Sequence, residues 1–153
     1  MSLSGTLVKQ TSINSNGDAL LEIFSYKTYL LVDMSPLNIK SADLVDGDWG
    51  IVGSVFILNY FYDGIEVVAK EVIDAIDGDN KFVRFKVIGG TLMDLYKSFS
   101  LTIHVDTNGP THLVTWTLAY EKLNENIEDP KRLMEICLNI TNDVDIYQQE
   151  HSI

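Results

Sequence analysis

SVFILNYFY at residues 54–62, IEVVAKEVIDAI at 65–76, KFVRFKVI at 81–88, SFSLTIHVD at 98–106 and HLVTWTLAYEK at 112–122 decide the fold. Each segment is rich in β-branched and aromatic side chains, which fit a pleated, half-buried surface. Asp63-Gly64, Asp77-Gly78, Gly89-Gly90 and Asn108-Gly109-Pro110 separate them. Asp-Gly and Asn-Gly pairs supply the positive φ angles of tight hairpins. Only the third junction carries a longer excursion, TLMDLYK at 91–97. The segments therefore predict an antiparallel meander.

Working outward, Asp129-Pro130 opens the last element as a cap residue followed by proline at the first helical position. Leu133, Ile136, Cys137, Ile140, Val144 and Tyr147 then recur at spacings of three and four, one apolar stripe on a helix of about 20 residues. That face needs a partner, and the sheet is the only large one available. On the other side, 5–13 (GTLVKQTSI) reads as a first strand, and Asn16-Gly17-Asp18 stops it with capping side chains. Short helices are predicted over 19–24 and 29–32, and a strand near 42–45. No repeat, linker or low-complexity tract interrupts the 153 residues, so one α+β domain over 1–153 is expected.

Composition narrows the function. The formal net charge is −11, with 46% hydrophobic and 22% charged residues. An acidic surface repels phosphate backbones and anionic lipid heads, so neither nucleic acid nor a membrane surface is the expected partner. No run approaches the roughly 20 apolar residues of a membrane helix. MSLSGTLVKQ at 1–10 lacks the apolar core of a secretory leader, and the lone Cys137 cannot form an internal disulfide. Both point to a reducing, cytoplasmic setting. The triplet Asn139-Ile140-Thr141 then reads as a chance glycosylation match inside a helix.

Strand parity assigns faces. Val83, Phe85 and Val87 are expected inward, as are Phe99, Leu101 and Ile103, and Val114, Trp116, Leu118 and Tyr120. In the first long strand Phe56, Leu58, Tyr60 and Tyr62 form the more apolar set. Tyr60, Tyr62, Trp116 and Tyr120 carry polar tips that need hydrogen-bond partners when buried. A ligand pocket supplies such partners, and so does a filled core with well-placed carbonyls; parity alone favours the filled core.

Longer motifs carry a resemblance. DGDWGIVGSV at 46–55, VAKEVIDAID at 68–77, FKVI at 85–88, LMDLYKSF at 92–99 and VTWTLAYEKLNE at 114–125 resemble plant major latex proteins of the birch-pollen-allergen superfamily, which includes the class-10 pathogenesis-related proteins. The resemblance runs from about Leu3 to Tyr147. It implies a helix-grip fold, with a seven-stranded curved antiparallel sheet around a long C-terminal helix and two short helices beside it. It also implies an internal hydrophobic cavity that accepts plant metabolites. The sequence departs from that pattern at Gly89-Gly90-Thr91, where relatives commonly have Glu-Gly-Asp. It departs again at Tyr60-Phe61-Tyr62 and Ile65-Glu66-Val67, where relatives are more polar. Ligand identity therefore does not carry over.

Other motifs read as structure. The glycines Gly47, Gly50 and Gly53 do not open a helix, and Asp46 and Asp48 would repel a phosphate, so a hairpin loop is expected. Asp74, Asp77 and Asp79 with Asn80 do not match a calcium loop. His104, His112 and His151 show no ligand spacing, so no metal and no cofactor is expected. Cys137 lies on the apolar helix stripe, without a neighbour that would activate a thiolate.

The function expected from the resemblance and the inward sets is carriage, storage or sequestration of a small lipophilic metabolite, in a defence setting. Leu58, Tyr60, Val83, Phe85, Phe99, Leu101, Trp116, Tyr120, Leu133, Met134 and Cys137 are the expected ligand-binding residues. The alternative is a cofactor-free cyclase or isomerase of a terpenoid or alkaloid intermediate. Its candidate proton-transfer groups are Tyr60, Tyr120, Lys70 and Glu71, although parity lets at most one of Lys70 and Glu71 point inward. No protein partner is identifiable.

Overall fold

The computed structural model describes residues 3–151. Seven strands form one antiparallel sheet: β1 (Ser4–Ile13), β2 (Ile39–Asp46), β3 (Val55–Tyr62), β4 (Ile65–Asp77), β5 (Phe82–Gly90), β6 (Tyr96–Asp106) and β7 (His112–Lys122). Their order is β1-β7-β6-β5-β4-β3-β2, so the meander predicted from the middle of the chain is continuous. β1 closes onto β7 with unbroken register from Ser4↔Glu121 to Ile13↔His112. The first two strands end up at opposite edges, and the chain between them bridges the edges with α1 (Gly17–Tyr26), a 3₁₀ turn (Thr28–Leu30) and α2 (Leu31–Met34).

The turns behave as their residues dictate. Asp63-Gly64 closes β3 onto β4 with φ of 51° and 80°, and Gly47, Gly50 and Gly53 all take positive φ in the loop joining β2 to β3. Asn16 caps α1 by accepting from the Ala19 amide at 3.0 Å. His112 Nδ1 accepts from the Gly17 amide at 2.9 Å, a second support for the same helix start. Asp77 accepts from both the backbone and the side chain of Asn80, which accounts for this carboxylate as part of a turn.

The long helix α3 (Lys131–Glu150) buries Leu133, Met134, Ile136, Cys137, Ile140 and Val144. Asp129 does not cap it: Pro130 holds the cap position with no side-chain bond. Its carboxylate instead accepts from Lys122 and from the Tyr120 hydroxyl, at 2.8 and 2.9 Å. A nearby cation and phenol outcompete the helix amides for the same oxygen.

The far end of α3 is fastened by two acids, one buried and one half-buried. Asp145 accepts from the amides of Asn14 and Ser15 and from the Ser15 hydroxyl. Asp143 accepts from the Ser35 hydroxyl at 2.7 Å and from the Asn38 amide group. These bonds tie the helix to the end of β1 and to the segment after α2.

An apolar cavity beneath the long helix

The inward faces of the sheet and the stripe on α3 do not meet everywhere. Between them lies a cavity of about 80 Å³. Phe56, Leu58 and Tyr60 of β3, Ala69 and Glu71 of β4, and Phe85 and Val87 of β5 form one wall. Leu101, Trp116 and Leu92 continue it, while Leu133, Ile136, Cys137 and Ile140 of α3 form the facing wall. Phe24, Thr28, Leu31 and Ile39 close one end. Aromatic packing props the walls: Phe24 meets Trp116 edge-to-face at 5.4 Å, and Phe56 meets Phe85 the same way at 5.8 Å.

A larger, solvent-open vestibule of about 860 Å³ lies next to it. Tyr62, Val67, Leu95, Tyr96 and residues 126–132 line it, and Tyr60, Leu92 and Leu133 line both spaces. Those three side chains stand where the two spaces adjoin. Ion pairs ring the mouth: Arg132 Nε reaches Asp63 at 2.6 Å, and Arg132 Nη1 reaches Glu135 at 3.0 Å. They couple the β3–β4 turn to the first turn of α3.

The polar tips within these walls fall into two groups. Trp116 Nε1 donates to Thr141 Oγ1 at 2.8 Å, and that hydroxyl donates to the Cys137 carbonyl. Thr28 donates to the Phe24 carbonyl, and Tyr96 to the Glu128 carbonyl. Glu71 and Tyr60 differ. They are 6% and 5% exposed, and among the described residues neither side chain has a hydrogen-bond partner. Burial alone pushes the Glu71 carboxyl up to about 8, so it carries its proton at neutral pH. Burial first, and then Glu71, hold the Tyr60 hydroxyl well above the ordinary tyrosine range. Burial and Glu71 likewise push the Cys137 thiol up to about 12, which makes it inert as a nucleophile.

Of the residues expected from the sequence to bind ligand, Leu58, Tyr60, Phe85, Leu101, Trp116, Leu133 and Cys137 face the cavity. Val83, Phe99, Tyr120 and Met134 are buried but lie outside its lining. Tyr96 meets Phe99 and Tyr120 edge-to-face at 5.0 and 5.6 Å, and Phe99 stacks on Tyr120 at 6.2 Å, filling the other end of the sheet. The Tyr120 ring also covers Gly5, whose position leaves no room for a Cβ. Tyr62 sits in the vestibule, 37% exposed.

Glu71 faces inward and Lys70 does not line the cavity, which resolves the parity choice between them. Glu71 is the feature that sequence reasoning underweighted. It shares a strand face with Val67, Ala69 and Ile73, and a lone carboxyl in an apolar inward set was the available signal. Phe24, Thr28 and Leu31 left no such trace, because the packing of short helices on a sheet is a tertiary matter.

Among the described residues no cluster of His, Cys, Asp and Glu could hold a metal. No described helix is long and apolar enough to cross a membrane.

Residues 2–151 match the model of the pathogenesis-related protein Bet v 1 family. MLP-like protein 28 of Arabidopsis thaliana is 40% identical over 146 residues, 94% of this chain; the chain spans 44% of that relative's length. The crystal structure of ginseng major latex-like protein 151 from Panax ginseng superposes with a TM-score of 0.94 at 43% identity, covering 95% of this chain and 97% of that one. Norcoclaurine synthase from Thalictrum flavum superposes with a TM-score of 0.81 at 17% identity, covering 98% and 89%, a likeness of fold.

Proposed function

The chain belongs to the Bet v 1 family, in its major latex branch, and on that premise we propose that it acts as one cytoplasmic domain that holds a small lipophilic metabolite under α3. The observation that carries this reading is an apolar cavity next to a larger open vestibule, with Tyr60, Leu92 and Leu133 bordering both. The inner space of about 80 Å³ is below the roughly 300–1,000 Å³ of ordinary small-molecule sites. A metabolite of more than one ring therefore joins the two spaces by displacing these side chains. Affinity comes from apolar burial, about 25 cal/mol per Å², less the cost of association.

Native mass spectrometry of the protein isolated from its source tissue tests the reading. A stoichiometric lipophilic compound released on denaturation is the expected result. Protein that emerges empty, and that takes up no lipophile from a tissue extract, would overturn it.

A second reading is a cofactor-free cyclase or isomerase acting on a terpenoid or alkaloid intermediate. One observation favours it: Glu71 holds a proton in an apolar space at neutral pH, as a general acid must. Turnover that survives both Glu71→Gln and Tyr60→Phe would remove these groups from any such chemistry.

A further inference from the structure

We propose that Glu71 and Tyr60, two O–H donors in the cavity wall without a partner in the protein, make the cavity selective for neutral lipophiles bearing an accepting oxygen, a ketone above all, over hydrocarbons of the same shape. This rests on the reading of the cavity as a binding site, and it names what that site selects.

Both groups reach the cavity from neighbouring strands. β3 and β4 pair with Phe56 opposite Glu71, Leu58 opposite Ala69 and Tyr60 opposite Val67, so Glu71 and Tyr60 share the inward face but stand four residues apart along the pair, roughly 13 Å by strand rise, as two separate donor positions in one wall. The other polar tips facing the cavity are satisfied by the protein itself. A buried hydroxyl or carboxyl without a partner is costly, and a ligand that supplies the missing acceptor recovers that cost. A protonated carboxyl and a phenol are both O–H donors, and a carbonyl oxygen seated at either one accepts its hydrogen bond.

Charge excludes the competing ligand classes. No Lys, Arg or His lines the cavity, so a carboxylate or phosphate ligand would be buried without a counter-ion. A basic amine could take the Glu71 proton and pair with the carboxylate so formed, but two charges would then be buried in an apolar wall, at a desolvation cost the pair does not readily recover. A neutral oxygen leaves no charge behind.

The selectivity is expected to be pH-dependent. Besides Glu71, the titratable groups facing the cavity are Tyr60 from β3 and Cys137 from α3. Neither titrates below about pH 10, because burial raises both. Ionisation of Glu71 above pH 8 removes one of the two donors, and no other group at the cavity changes charge in that range.

The test uses cyclohexanone and methylenecyclohexane, an isosteric pair small enough for the inner space. Binding is followed by methyl NMR at Leu101 and Leu133, at pH 6 and pH 9.5. In the wild-type protein the ratio of ketone to hydrocarbon affinity is expected to fall about 10-fold between the two pH values, as befits one hydrogen bond. Glu71→Gln keeps a donor without titrating, so its ratio should stay constant with pH. Glu71→Leu should lower the ratio about 10-fold at pH 6, and Tyr60→Phe added to it should remove the preference that remains. Binding of both probes with a ratio indifferent to pH and to all three variants would overturn the selectivity and leave the cavity reading standing. Failure of either probe to shift the cavity methyls would overturn both. Resonance dispersion of the Gln variant checks that it folds.

Discussion

Replacing Glu71 with Gln should make the protein more stable at alkaline pH, and the size follows from the site. The folded carboxyl titrates near 8 against an ordinary 4.5. A carboxyl raised on folding favours the folded state only while it is protonated. Its contribution is thus complete below about pH 4.5 and is lost progressively as the pH climbs through 8. At 1.36 kcal/mol per pH unit, wild type should lose about 5 kcal/mol across that window relative to a chain that does not titrate there. For a domain of typical stability, roughly 5–15 kcal/mol, this is a large share. Urea denaturation of both proteins at half-unit steps from pH 5 to 9.5 measures it. The wild-type minus variant difference should slope downward through neutral pH and level off above 8.5. Asp77 and Asp129, whose carboxylates sit below their ordinary range, have the opposite pH trend. They occur in both proteins and cancel in the difference. A difference that stays flat from pH 5 to 9 would mean that Glu71 is ionised like a surface carboxylate, and the account of a buried acid without a partner in the protein would be refuted.

Other expectations concern packing and backbone. Gly90→Ala should destabilise by several kcal/mol or prevent folding, because φ is +95° and a Cβ would lie 2.2 Å from the Val68 carbonyl oxygen; thermal melting reads this. Leu133→Ala should cost about 2–4 kcal/mol in urea and merge the inner cavity with the vestibule, so that lipophilic dyes bind faster. Asp145→Ala leaves the Asn14 and Ser15 amides without their acceptor and should cost about 2–4 kcal/mol, whereas Arg132→Ala at the solvent-exposed mouth should leave the urea midpoint almost unchanged.

The sheet was legible because its evidence is local. Dipeptides such as Asp63-Gly64 and alternation such as Phe85-Lys86-Val87 need no knowledge of distant chain. The stripe from Leu133 to Val144 is equally local, and Lys131–Glu150 has the expected length. Boundaries were less legible where short elements grade into turns. The strand expected near 42–45 runs over Ile39–Asp46, and the helix expected at 29–32 begins as a 3₁₀ turn at Thr28–Leu30. The cavity was only half legible. Parity says that Phe85, Phe99 and Tyr120 all face inward, and they do. It cannot say that the sheet lies against filler at Phe99 and Tyr120 and against open space at Phe85, since that depends on where α3 crosses. Asp129 misled for a related reason: its partners, Lys122 and Tyr120, come from the preceding strand rather than from the helix it introduces.

The two ends of α3 are fastened unequally, and its motion should follow. Near Val144 the helix is clamped by the carboxylates of Asp145, which is buried, and Asp143, which is half-buried, while its first turn is held at the surface by Arg132 and its ion pairs. Surface pairs of this kind contribute little and weaken in salt. The helix should accordingly behave as a lever pivoted at its C-terminal end. Amide hydrogens should exchange fastest around Leu133 and Met134 and slowest around Val144, with the gradient steepening as ionic strength rises. A lever of this kind lifts the wall formed by Leu133 first, so the same asymmetry that grades the exchange also decides which end admits a guest.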